Sequence, residues 1–113
     1  MSPRVEAAFQ RGLDLIRQGE FFAAHEELEL AWRAAHASER DFYQGLVHVT
    51  VAWYQAGRGN RTGCERQLAK AERRLGPFRP EHRGVNVDDI LSQVEAAAAI
   101  VAAGSLELSP PQL

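Results

Sequence analysis

The chain has a single cysteine, Cys64, among 113 residues. One thiol excludes an intrachain disulfide and a zinc site built from paired thiolates, and it makes a reducing, cytoplasmic compartment the default expectation. Long apolar runs are missing too: nothing approaches the roughly 20 residues that a membrane span requires. The opening "MSPRVEAAFQ" lacks the apolar core of a signal peptide. No stretch alternates apolar and polar residues in the strand pattern, which argues against a sheet. Phosphate-loop chemistry is equally unsupported, because "GRGN" at 57–60 is followed by no Lys-Ser/Thr pair and preceded by no strand.

What is present is helical periodicity. With 45% hydrophobic and 25% charged residues, the composition is that of a globular chain able to bury one core. Ser2 and Pro3 read as a cap and a first-turn proline, and Val5, Phe9, Leu13 and Ile16 form a stripe that ends before Gly19. A first helix over about 3–18 follows. Phe21, Phe22, His25, Leu28, Ala31 and Trp32 cluster on one side of a second, about 20–35. "HASER" is a connection in which Ser38 is a plausible cap. The third helix, about 39–57, is apolar over most of its circumference and is therefore expected to be central. A fourth runs from a cap at Asn60 or Thr62 to Leu75. Pro77 and Pro80 interrupt the chain, and Asn86 with Asp88 and Asp89 opens a fifth helix over about 87–103. The expected architecture is all-α, a single domain over 1–103 with about five helices, followed by a flexible tail at 104–113.

The net charge of -2 conceals a segregation. Residues 1–57 hold five basic groups against eight acids, 58–83 hold eight against three, and 84–113 hold four acids and no base. The middle block attracts phosphates in principle, which keeps nucleic-acid or protein interaction through 58–83 as one alternative. An exposed helix face with charge pairing four residues apart is the commoner reason for such a block, so nucleic acid is not the favoured partner.

Chemistry-bearing residues gather on two helices. His25 and Glu29 stand four residues apart on one helical face, with Trp32 a turn further. "HEELE" superficially matches the zinc-protease sequence H-E-x-x-H, but Glu29 stands where the second His is needed. Metal ligation by His25, Glu29 and a third group, His48, remains an alternative, with a metal-dependent hydrolase as its consequence. The competing structural reading makes His25 a core-edge histidine held by a hydrogen bond. On the third helix Gln44, His48 and Gln55 form a polar stripe. A buried polar group without a partner costs about 1–3 kcal/mol, so the stripe must meet polar groups. Because helices joined by a short loop pack against each other, the face of His25 and Glu29 is the expected partner.

In order and spacing, "FFAAHEELELAWR", "FYQGLVHVTVAWYQAGRGN" and "GVNVDDIL" resemble a family of small bacterial and archaeal helical proteins, domain of unknown function 309. The resemblance implies an orthogonal all-helical bundle, and covers about residues 5–95. Its pattern is met at Phe21, Phe22, Ala24, His25, Glu26, Leu28, Glu29, Trp32, Phe42, Gln44, Gly45, Leu46, Arg58, Gly59 and Asn60. It is not met at Ala23, where Glu is usual, at His48, where Gln is more typical, and at Gln55, where His is common. Exchange of His with Gln fits a hydrogen-bonding seam better than a metal ligand. The expectation is a binding module with a polar cleft between helices two and three, formed by His25, Glu26, Glu29, Gln44, His48, Gln55, Arg58 and Asn60. Its occupant is a small polar ligand or a partner segment; homo-oligomerisation is compatible with the chain's size. Catalytic residues, metal ligands and cofactors are left unassigned.

Overall fold

The computed structural model describes residues 2–113. Five helices carry the fold: α1 (Pro3–Arg17), α2 (Phe21–Ala34), α3 (Arg40–Gly57), α4 (Arg61–Leu75) and α5 (Val87–Ala102). Single 3-10 turns lie at Ala37–Glu39 and Gly76–Phe78. The all-α bundle expected from periodicity is therefore present, with each helix folding back on its predecessor.

Local chemistry sets the helix ends. Ser2 Oγ accepts from the Arg4 amide, Asn60 Oδ1 from Gly63 and Asn86 Oδ1 from Asp89, which satisfies otherwise orphaned first-turn donors. His36, rather than Ser38, caps the short turn before α3, its Nδ1 accepting from the Ser38 amide. At the end of α3, Gly59 takes φ +76°. The Asn60 amide then reaches the Gln55 carbonyl at 2.9 Å and the Gly59 amide that of Ala56 at 3.1 Å, a left-handed stop that a side chain would strain.

Two glycines set how closely the helices approach. A Cβ on Gly12 would fall 2.7 Å from Leu28 Cγ, so α1 and α2 touch backbone to side chain there. A Cβ on Gly45 would fall 2.6 Å from Leu75 Cγ and Cδ2, which makes Gly45 the close contact of α3 with α4. Around these crossings Phe9, Leu28, Phe42, Tyr43, Leu46, Leu68, Leu75 and Val101 are fully buried. The rings of Phe9, Phe42 and Tyr43 pack edge to face at 5.2–5.8 Å, geometry that adds to the burial itself.

Two segments differ from expectation. Residues 81–86 form a small antiparallel hairpin, β1 (Glu81–His82) with β2 (Val85–Asn86). Its turn residues Arg83 and Gly84 both have positive φ, +49° and +77°, the conformation that two-residue hairpins use. Each strand is only two residues long, too short to leave an alternation in the sequence. Residues 104–113 are expected as a flexible tail; of these, 105–113 run back along α5 and α3. Leu106, Leu108 and Leu113 pack partly buried against the core, and Pro111 is buried. The Trp53 indole N–H donates to the Ser109 carbonyl at 2.9 Å. Composition suggested looseness; the buried indole, which needs an acceptor, supplies the reason for order.

Candidate functional site

Geometry divides the expected seam into three places. The first is the outer face where α2 meets the end of α3. His25 Nδ1 lies 2.6 Å from the Phe22 carbonyl. A carbonyl can only accept, so Nδ1 donates to it and Nε2 is the ring atom turned toward Glu29. Glu29 Oε1 is 3.8 Å from that Nε2, too far for a hydrogen bond, and its other oxygen accepts from Arg33 at 3.4 Å. Phe22 packs its ring edge to face on His25 at 4.9 Å and tilts against Tyr54 at 5.6 Å. Arg58 closes the row: its Nη1 donates to the Tyr54 hydroxyl at 3.1 Å and its guanidinium lies 5.6 Å from that ring's centre, within cation–π range. Glu26 is exposed beside this row.

The second place is the contact of α3 with α4, and here the expectation is corrected. His48 does not face His25 and Glu29. Its Nδ1 is 2.7 Å from Gln67 Oε1 on α4, while Nε2 is buried with no partner among the described residues. At about 100° per residue, Tyr54 and His48 lie about 120° apart around α3. The face of Tyr54 meets α2, and that of His48 meets α4. Burial pushes the His48 imidazole below the ordinary histidine range, and the nearby charges of Lys70, Arg74 and Arg73 push the same way against the Gln67 bond. Gln44 shares this edge, partly buried. A three-ligand metal site of His25, Glu29 and His48 is thereby not assembled, and among the described residues no three His, Cys, Asp or Glu side chains converge.

The third place is the turn from α3 to α4. Asn60 Nδ2 donates to Gln55 Oε1 at 3.1 Å while its Oδ1 caps α4. Gln55 and Asn60 are thus occupied in joining two helices. The eight residues do not line one cleft. Surface depressions of about 640, 480 and 470 Å³ lie elsewhere, at Glu39 and Arg83, at Leu30 and Arg33, and at Trp53 and Gln93.

The basic block is largely engaged. Arg61 pairs with Glu65, Arg74 with Asp41, Arg79 with Asp88 and Arg83 with Glu39, while Arg66, Lys70 and Arg73 face solvent. Burial holds the Cys64 thiol protonated, above its usual range, which disfavours the reactive thiolate.

One cluster was invisible in the linear pattern. Glu39 accepts from His82 Nε2 at 2.9 Å and from Arg83 Nε. Burial alone would raise the Glu39 carboxyl; the His82 and Arg83 hydrogen bonds and charges outweigh it and hold the group below its usual range. His82 is wedged between Phe42 and Phe78 at 4.7 and 4.8 Å. The sequence signal was Arg83-Gly84, a two-residue hairpin turn, which brings His82 and Arg83 back over the start of α3.

The model of one family, Domain of unknown function (DUF309), matches residues 9–67, just over half of the chain. The chain belongs to the DUF309 family. No curated protein and no solved structure matches it. The DUF309 segment contains the whole Phe22, His25, Glu29, Tyr54 and Arg58 row, and it ends at Gln67, the partner of His48. It stops short of the hairpin, of α5 and of residues 105–113. No helix is long and apolar enough to cross a membrane among the described residues.

Proposed function

We propose that this DUF309 protein is a binding module whose docking face is the row Phe22, His25, Glu29, Tyr54 and Arg58, and that the occupant is a segment of a partner protein. The observation that carries this reading is Phe22, a large apolar side chain left 53% exposed on α2 and stacked on two aromatic neighbours. Leu30, 49% exposed, lies eight residues further along the same helix, about 12 Å away. Aromatic and arginine side chains are the composition of binding hot spots. Glu26 and Glu29 add acceptors that favour a basic residue beside the apolar one. The exposure of Phe22, Glu26 and Arg58 supports a polypeptide partner over an enclosed small molecule, and it supports binding over catalysis.

The exposed half of a Phe side chain covers about 100 Å², so covering it contributes about 2–3 kcal/mol. Phe22→Ala is therefore expected to weaken the complex by a few tens of fold; losing its buried half and its contacts with His25 and Tyr54 also lowers the protein's own stability by about 1–3 kcal/mol. A photo-crosslinking amino acid placed at position 22 in the native cell tests the reading, with position 66 on α4 as reference. A discrete adduct at 22 that Arg58→Ala removes is the expected outcome. Equal labelling at 22 and 66, or an adduct indifferent to Arg58, sinks the proposal.

A further inference from the structure

On another face of α3, about 100° around from Tyr54, the chain holds a piece of itself as a protein would hold a peptide. Gln93 on α5 makes a two-point contact with the backbone of Gln112: its Nε2 donates to the carbonyl at 2.7 Å, and its Oε1 accepts from the amide at 2.7 Å. That pair reproduces what a neighbouring β-strand offers. Asp89 Oδ2 accepts from the same Gln93 Nε2 at 3.0 Å, which fixes the amide the right way round. Three residues earlier in the held segment, the Ser109 carbonyl accepts from the Trp53 indole. Between these two anchors stand Pro110 and Pro111. Proline has no N–H, so this stretch crosses an apolar surface without leaving a donor unpaired, and proline lowers the ordering cost of an extended segment.

We infer that the groove between α3 and α5, anchored by Trp53 and Gln93, is a recognition site for extended segments carrying a Pro-Pro pair, filled in cis by residues 108–113 and open to a partner's segment when that strap lifts. The hydrogen bonds from Trp53 and Gln93 go to the strap's backbone, and its packing is through leucine and proline, so none of these requires the occupant to be this chain's own. The occupant also leaves room: a depression of about 470 Å³ remains beside Ser109 and Pro110, bounded by Trp53, Ala96, Ala97 and Ile100. A segment with a larger apolar side chain at the Ser109 position would fill it. The strap is joined to α5 through Gly104, at φ +100°, a residue able to change direction at little cost. Trp53 lies within the DUF309 match while Gln93 and the strap lie beyond it, and the groove is independent of the α2 face proposed above.

The test uses the full chain and a labelled peptide of residues 107–113, Glu-Leu-Ser-Pro-Pro-Gln-Leu. Pro111→Asp puts a carboxylate at the buried strap position, among Val49, Trp53 and Ile90, where an unpaired charge is costly, and frees the groove without altering it. Fluorescence anisotropy should then report saturable binding to the Pro111→Asp protein, and about ten-fold or weaker binding to the unaltered protein, whose strap competes at high effective concentration. Adding Gln93→Ala to the Pro111→Asp protein should abolish it, as should replacing both prolines of the peptide by Ala. Equal affinity for the two proteins, or binding indifferent to Gln93, overturns the proposal. Should Pro111→Asp lose its helical circular dichroism, the unaltered protein decides: millimolar peptide must accelerate hydrogen exchange at the Gln112 amide, and unchanged protection refutes the site.

Discussion

His48→Gln should make the protein more stable, and more so in mild acid. In the folded chain His48 spends one ring nitrogen on Gln67 and buries the other with no partner. An orphaned buried polar atom costs about 1–3 kcal/mol. A glutamine at position 48 can keep the bond to Gln67 and direct its remaining atoms toward the solvent edge, so about 1 kcal/mol of that cost is recoverable. For a domain of this size that raises the melting temperature by roughly 4 °C at pH 8. The acid dependence follows from the direction of the His48 shift, downward from 6.5 through burial and then through Lys70, Arg74 and Arg73. Below pH 6.5 the unfolded chain takes up the proton first, which pulls the equilibrium toward unfolding; the loss grows until the pH passes the folded value and then levels off. Above 6.5 this contribution is constant. Glutamine does not titrate, so the gap between the two proteins should widen as pH falls below 6.5, with the other histidines cancelling in the difference. Thermal melts of both proteins from pH 8 to pH 5 provide the measurement. A gap that stays constant across that range would show that His48 protonation is uncoupled from folding, and a lower melting temperature for His48→Gln at pH 8 would show that Nε2 is not an orphan.

Gly45→Ala should destabilise the protein by about 1–3 kcal/mol in urea unfolding through overpacking, despite a helix-propensity gain of up to about 1 kcal/mol, because its Cβ would lie 2.6 Å from two Leu75 atoms and 3.3 Å from Arg74 Cβ. Asn60→Ala removes both the α4 cap and the link to Gln55, and a loss of about 1 kcal/mol is expected in the same assay. Glu39→Gln should be less stable than the parent at pH 7. Because the Glu39 carboxyl sits below its ordinary 4.5 when folded, its contribution is complete above pH 4.5 and disappears as pH falls toward the folded value, so the two denaturation curves should converge in acid. Curves that stay parallel would mean that the charge of Glu39 is irrelevant to its contacts.

These outcomes also bear on what a linear sequence can and cannot convey. Periodicity states which residues share a helical face, and in that respect α1, α3 and α5 were legible from Val5, Phe9, Leu13 and Ile16, from Phe42, Leu46, Val49 and Trp53, and from Ile90, Leu91, Val94 and Val101, all of them buried. Caps at Ser2, Asn60 and Asn86 were legible for the same local reason. Periodicity does not state which neighbour a face meets. A central helix such as α3 has several, and assigning the Gln44, His48 and Gln55 stripe to α2 because α2 is nearest in sequence chooses by chain order, where the physical choice is made by closest approach.

The residue that encodes that approach is Gly45. It lies about 60° from His48 around the helix, and its missing side chain lets Leu75 and Arg74 Cβ come in on that side; Gly57, at the same offset from Tyr54, has no neighbour within 4 Å, and the α2 contact there is made through rings. A glycine on an otherwise apolar helix was thus a better guide to the partner of His48 than loop length. The same logic explains the strap. Trp53 belongs to the buried stripe of α3, yet an indole N–H on such a stripe must find an acceptor, and no side chain in the helices supplies it; the Ser109 carbonyl does. A polar atom at the margin of an apolar stripe therefore points to a segment that must cover it, and where that segment is proline-paired backbone, the cover is of a kind that another chain can imitate.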